Sequence, residues 1–179
     1  MNTTKSAKQN NKTIKIVYCG ILIALSAVGA LIKIQGSIAF DSMPGFFAAL
    51  FLGPSYGALV AGLGHILTAV TSGFPLTLPM HIIIALEMAL FGYLFGVFYR
   101  KFNYAIAIIL AIILNGPIGA LVAAFASVLL GLPFNGLKLF YAVIIPLTLA
   151  SVANIVLAYL AFKAINRNKL RVQNESKKI

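Results

Sequence analysis

The chain has 179 residues, 61% of them hydrophobic and only 9% charged, with a formal net charge of +11. A soluble domain of this size cannot hide so much apolar surface, which excludes the ordinary globular class and leaves a polytopic membrane protein. The positive charge does not argue for nucleic acid, because the bases gather in the two tails and one short loop, where they meet anionic lipid headgroups.

The polar, basic start MNTTKSAKQNNKTIK leads into an apolar run over residues 16–32. That run is long, lacks a small-residue cleavage site and is followed by more apolar segments, so it reads as a retained anchor. Helix one is expected over about residues 14–32. Gly20, Ala24 and Ala27 recur there at four and three residues and share a face that lets another helix come close. Ser26 and Ala30 form a second small pair. Cys19 is the lone cysteine, so neither an intrachain disulfide nor a paired zinc site is available.

Residues 33–42, KIQGSIAFDS, read as a first outer loop, and helix two as the short run 43–52. The thirteen residues from Phe40 to Leu52 are too few to cross a hydrocarbon core, where about 20 helical residues are needed. The chain therefore enters with the Asp41 carboxylate at its lip, turns at Gly53-Pro54 and comes back. Helix three is expected over 55–70, with Gly57, Gly62 and Gly64 making it small-sided. Residues 71–79, TSGFPLTLP, form a second loop, and helix four spans 80–99 and stops at Arg100-Lys101. Helix five covers 103–130 and is kinked at Asn115-Gly116-Pro117, since Pro117 removes a backbone donor. Residues 131–136 form a third loop, and helix six covers 137–164, with Pro146 in its outer half.

The fold class is thus all-α: six transmembrane helices over residues 14–165, between basic tails at 1–13 and 166–179. With both termini in the cytoplasm, twelve of the fourteen basic residues, from Lys5 to Lys178, fall inside, and only Lys33 and Lys138 fall outside. No tandem repeat supports an inverted-repeat carrier.

Polar side chains at membrane depth are costly and mark functional positions. In the outer half these are Asp41, Ser42, His65, Thr68, His81 and Glu87, with Asn115 at mid-depth, Asn135 and Lys138 at the third loop, and Asn154 deeper on helix six. His81 and Glu87 are six apart, about 120° around the helix rather than in line. His65, His81 and Glu87 lack any HExxH-like spacing, so no metal is expected. There is no GxSxG for nucleophilic catalysis and no GxxxxGK[ST] for ATP, and the two buried carboxylates make a short proton relay at best. No enzyme and no cofactor are expected. Asp41, Ser42, His81, Glu87, Asn115, Asn135 and Lys138 remain as candidate solute ligands.

The stretch DSMPGFFAALFLGPSYGALVAGLGH, the six-helix layout and the small-residue face of helix one resemble the substrate-binding S-component of energy-coupling factor (ECF) vitamin transporters, over about residues 14–162. The resemblance implies a cell-membrane protein that captures a vitamin from outside, in a pocket among helices four to six closed by the outer loops. It also implies docking of a transmembrane coupling subunit and two ATPase subunits on helices one to three. Gly20, Ala24 and Ala27 match the contact face, although Val28 stands where a further small residue is expected. SGFPLTLPMH and ALEMALFGYLFG are most similar to the S-component for alpha-ribazole, a cobalamin-salvage precursor. Its dimethylbenzimidazole would stack on Phe40, Phe74, Phe134 or Tyr141, its ribose would bond Asp41, Glu87 or Asn135, and His81 would meet the free ring nitrogen. Pantothenate, held by Lys138 or Lys33, cobalamin or another vitamin, and a small proton-coupled carrier are the alternatives.

Overall fold

The computed structural model describes residues 3–176 and the side chains of residues 12–168. Met1, Asn2 and the last three residues, with Lys177 and Lys178 of the expected tail, lie outside the described residues, as do the side chains of Lys5, Lys8, Lys169 and Arg171.

Helix α1 runs Thr3–Gly29. It ends three residues before the apolar run does, because Leu31 and Ile32 turn their N–H groups back onto Val28 and Gly29 in a tightened last turn. The segment beyond it, expected as a plain loop, is a small hairpin. Strand β1 (Lys33–Gln35) pairs antiparallel with β2 (Ile38–Ala39), and Gly36 at φ +54° makes the reversal between them. The chain bends at Phe40–Ser42 and enters α2 (Met43–Phe51), with Pro44 in the first turn, where no N–H is needed. Gly53, at φ +129°, breaks the helix, and α3 (Pro54–Thr71) runs back alongside.

Helix α2 and α3 touch almost backbone to backbone. A Cβ on Gly57 would sit 2.7 Å from Ala49 Cα, and one on Gly45 would sit 2.7 Å from Ala61 Cα. Glycine at these two positions is what allows the contact.

Helix α4 covers Leu78–Lys101. Helix α5 (Tyr104–Ile113) is capped by Asn103, whose side-chain oxygen accepts from Ile106 N–H. The kink expected at Pro117 takes the form of a π-turn, Leu114–Ile118, before α6 (Gly119–Leu129). Helix α7 covers Gly136–Ser176 and contains Pro146. Pro146 cannot donate to the carbonyl of Ala142 one turn back. Gln35 of the hairpin reaches that carbonyl instead, at 3.5 Å, and so ties the hairpin to α7.

Among the described residues, four stretches are long and apolar enough to cross a membrane: Lys12–Gly29, Leu78–Lys101, Tyr104–Leu129 and Gly136–Asn168. Large apolar side chains stay exposed along them, Leu129 at 70% and Phe125 at 67% among others, as lipid contact requires. Helix α2, with nine residues, rises only about 14 Å.

The bundle has two distinct ends. At one, Lys15 lies over the Tyr56 ring, Arg100 approaches Gly53, and Tyr99, Tyr104, Tyr159 and Lys163 cluster. At the other, Lys33 Nζ donates to Thr71 O and the hairpin covers α7. The larger apolar core belongs to the first end, around Phe46, Phe95, Val60 and Ile155. A smaller core of Met80, Ala123, Ala126, Leu132 and Leu139 belongs to the second. Beside that smaller core the packing leaves a cavity.

Candidate binding site

The site begins with Asp41, which the bend between β2 and α2 turns inward until it is only 7% exposed. Thr68 Oγ1 donates to Asp41 Oδ2 at 2.6 Å, a distance typical of a charge-assisted bond. Burial pushes the Asp41 carboxyl up to about 6, while the Thr68 hydroxyl and the N–H groups of Asp41 and Ser42 pull it down.

The bend is fastened from the far side by Asn154 of α7, which is fully buried. Its Oδ1 accepts from Met43 N–H at 2.8 Å, and its Nδ2 donates to Ala39 O at 3.1 Å and Ala150 O at 2.9 Å. One amide thus holds backbone groups on both flanks of Asp41.

Three residues before Thr68 on α3 stands His65, whose Nε2 lies 3.2 Å from His81 Nδ1 of α4. With neutral rings one nitrogen donates and the other accepts. His81 is fully enclosed, with the Phe74 ring against its edge, and its Nε2 has no partner.

On the opposite wall, Asn115 in the π-turn donates through Nδ2 to Ser151 Oγ at 2.8 Å. The orientation of that amide follows from the hydroxyl: Ser151 spends its single hydrogen on Leu147 O, so toward Asn115 it can only accept. Glu87 of α4 carries a buried Oε1 with no hydrogen-bond partner. Gly119 packs beside it, where a Cβ would sit in ordinary contact at 3.6 Å.

These groups converge on the cavity. Asp41, Ser42, His65, Glu87 and Asn115 supply its polar wall, and Leu76, Ile84, Met88, Phe91, Val143 and Leu147 are prominent in the apolar remainder. Its empty volume is about 690 Å³, the mouth included. An apolar enclosure with a few converging polar groups is the usual form of a small-molecule site.

Of the residues singled out from sequence, Asp41, Ser42, Glu87 and Asn115 line the cavity. The other residues expected to touch the solute stand apart from it. Phe40 and Phe74 are half-buried elsewhere, and His81 sits behind His65. Asn135 turns its amide onto Leu132 O and closes its own loop. Lys138 is exposed and Tyr141 is 69% exposed, for a geometric reason. Val143 and Leu147 define the cavity face of α7, and at 100° per residue Lys138 and Tyr141 lie about 140° and 160° away from Val143. Phe134 is likewise exposed. Phe91 is the aromatic residue on the wall, and its signal was present in the sequence, since Glu87, Met88 and Phe91 share one helical face. His65 also joins the wall, with Thr68 and Asn154 behind it as supports. Among the described residues no three His, Cys, Asp or Glu side chains converge as a metal would require.

The two small-residue faces of α1 part company. Ser26 and Ala30 are fully buried, and a Cβ on Gly64 would lie 2.8 Å from Ser26 Oγ. Gly20 and Ala24 are exposed, Ala27 is half-buried, and a Cβ on Gly20 would meet nothing within 4 Å.

A family model described as the substrate-specific component of ECF transporters matches residues 14–166. No curated protein and no solved structure matches the chain.

Proposed function

Since this chain belongs to the substrate-specific components of ECF transporters, a family of membrane-embedded transport subunits rather than enzymes, we propose that it captures alpha-ribazole from outside the cell for cobalamin salvage. Members of such a family bind a small molecule and work with ECF membrane and ATPase subunits. The observation that carries the substrate reading is the cavity itself. It pairs an apolar wall with acceptors at Asp41, Glu87 and the Asn115 carbonyl oxygen. A benzimidazole would lie against Phe91 and Met88 while ribose hydroxyls turn to those acceptors. SGFPLTLPMH and ALEMALFGYLFG support the same substrate by resemblance.

The proposed topology has six crossings with both termini in the cytoplasm. The end that carries Lys15, Arg100 and Lys163 would face inward and the hairpin outward. Helix α2 is too short to cross alone, but its buried residues keep it inside the bundle, where the irregular backbone at its ends need not meet lipid. The exposed Gly20, Ala24 and Ala27 strip would then meet the coupling subunit as a close helix contact. The tails at 1–13 and 166–179 would lie in the cytoplasm.

The test is binding and uptake measured separately. Purified chain is expected to bind alpha-ribazole without ATP, and proteoliposomes are expected to accumulate it only when the coupling and ATPase subunits are present. Uptake by the chain alone, stopped by dissipating a proton gradient, would replace this reading with a proton-coupled carrier. Pantothenate is the weaker substrate reading, because Lys33 is engaged with Thr71 O and Lys138 is exposed outside the cavity.

A further inference from the structure

The cavity is asymmetric in what it offers. Glu87 lines the wall with its Oε1 shut away from solvent and without a partner, so a solute meets this carboxyl group through its other oxygen. A half-buried carboxyl group without a partner is costly, and a donor from the solute lowers that cost. Asp41 differs, because Thr68 already donates to its Oδ2. Asn115 gives one Nδ2 hydrogen to Ser151, which leaves its carbonyl oxygen and its second amide hydrogen to offer. Among the described residues no lysine or arginine lines the wall. His65, the lining side chain able to carry positive charge, is held at Nε2 by His81. The polar wall therefore presents acceptors and neutral donors but no free cation, with Glu87 as the group left open.

Resting on the reading of this chain as a solute-capturing subunit, we infer that the cavity selects an uncharged or cationic solute that donates a hydrogen bond to Glu87, and that it rejects solutes bearing a carboxylate or phosphate. The selection works in both directions. A donor pairs with the open Glu87 carboxyl group, whereas an anion must be desolvated beside two acidic side chains and finds no cation to meet it.

The experiment is calorimetric binding to the full chain in lipid nanodiscs, using matched pairs that differ by one anionic group. Suitable probes are alpha-ribazole and its 5′-phosphate, pantothenol and pantothenate, and thiamine and thiamine monophosphate. In any pair that binds, the member without the anion is expected to bind at least about 100-fold more tightly, the order by which buried polar sites reject mispaired ligands. Glu87→Gln, which keeps shape and replaces an acidic oxygen with an amide donor, is expected to cut that ratio about tenfold or more. The ratio in the native chain stands by itself if the variant does not fold. An anionic member that binds as tightly as its partner, a folded Glu87→Gln protein with an unchanged ratio, or no binding by any member without the anion overturns the inference. Silence from alpha-ribazole while another pair obeys the rule removes the alpha-ribazole assignment and leaves this inference standing. Alpha-ribazole and its phosphate binding equally does the reverse.

Discussion

Asn154→Ala tests whether the Asp41 bend is a built part of the site. The substitution removes the acceptor of Met43 N–H and the donor to Ala39 O, both on buried backbone flanking Asp41. Ala150 O is the carbonyl one helical turn back on α7 and keeps a partner within the helix. Each orphaned group costs about 1–3 kcal/mol when water does not reach it, so the pair costs about 2–6 kcal/mol, toward the lower figure if water enters the space. Part of that cost lowers stability, and part shifts the bend toward open arrangements. Apparent affinity then falls with the fraction of molecules that keep the bend. The expected result is a loss of affinity of about 10- to 100-fold. Asn154→Asp, which keeps an acceptor for Met43 but no donor for Ala39, is expected to lose nearly as much. Binding is measured by calorimetry, and unfolding by a thiol-reactive dye on Cys19, the lone cysteine, which is buried. A variant with a lower Tm and an unchanged Kd would refute the reasoning: Asn154 would then be plain glue between α2 and α7, with Thr68 alone setting the bend.

Neighbouring groups give further expected outcomes. The folded state holds the Asp41 proton more tightly, at about 6 against an ordinary 3.8, so stability is greatest below about 4 and is lost as pH rises through about 6. The drop is of order 3 kcal/mol, and Asp41→Asn should remove the pH slope seen in thermal unfolding. If the ionised carboxylate accepts from ribose hydroxyls, Asp41→Asn also weakens binding by about tenfold, and native affinity falls below about pH 6. Gly45→Ala places a Cβ 2.7 Å from Ala61 Cα and is expected to cost about 2–3 kcal/mol, read as a lower Tm. Gly20→Leu should leave solute binding unchanged and reduce co-purification with the coupling subunit. Loss of binding instead would show that this face serves internal packing.

The helices were legible because apolar runs and their Gly, Pro and basic stops leave few alternatives at membrane depth. The kink at Pro117 was legible for the same local reason, though its π form depends on how the turn packs against α7 through Asn115 and Ser151. The hairpin was not legible. Three residues pairing with two carry no alternating pattern, and Gln35 is held in place by a carbonyl that Pro146 frees more than a hundred residues later. In the site, depth could be read in advance but azimuth could not. Asp41, Ser42, Glu87 and Asn115 reached the cavity because the faces of α2, α4 and the π-turn point there, whereas Lys138 and Tyr141 share that depth on the wrong side of α7. Asn154 was visible as a costly polar residue, but its partners, Ala39 and Met43, become neighbours only after the chain has folded.

The small residues of the first three helices serve two surfaces at once. Glycines at 45 and 57 bring α2 and α3 together without a cushion of side chains, and Gly64 lets Ser26 of α1 lie against α3. The same unit carries Asp41 and Thr68 toward the cavity and leaves Gly20 and Ala24 facing outward. Close-packed backbones resist deformation, since neither partner has rotamers to give. Thr68 ties the Asp41 bend to α3 by a hydrogen bond, and Gly64 brings α3 against Ser26 of α1. Thr68→Val probes that link: it should lower solute affinity by about tenfold through loss of the donor to Asp41, and leave co-purification of the solute-free chain with the coupling subunit unchanged. Reduced co-purification with intact affinity would show that the α1 surface depends on this bond and the cavity does not, the opposite of what the geometry requires.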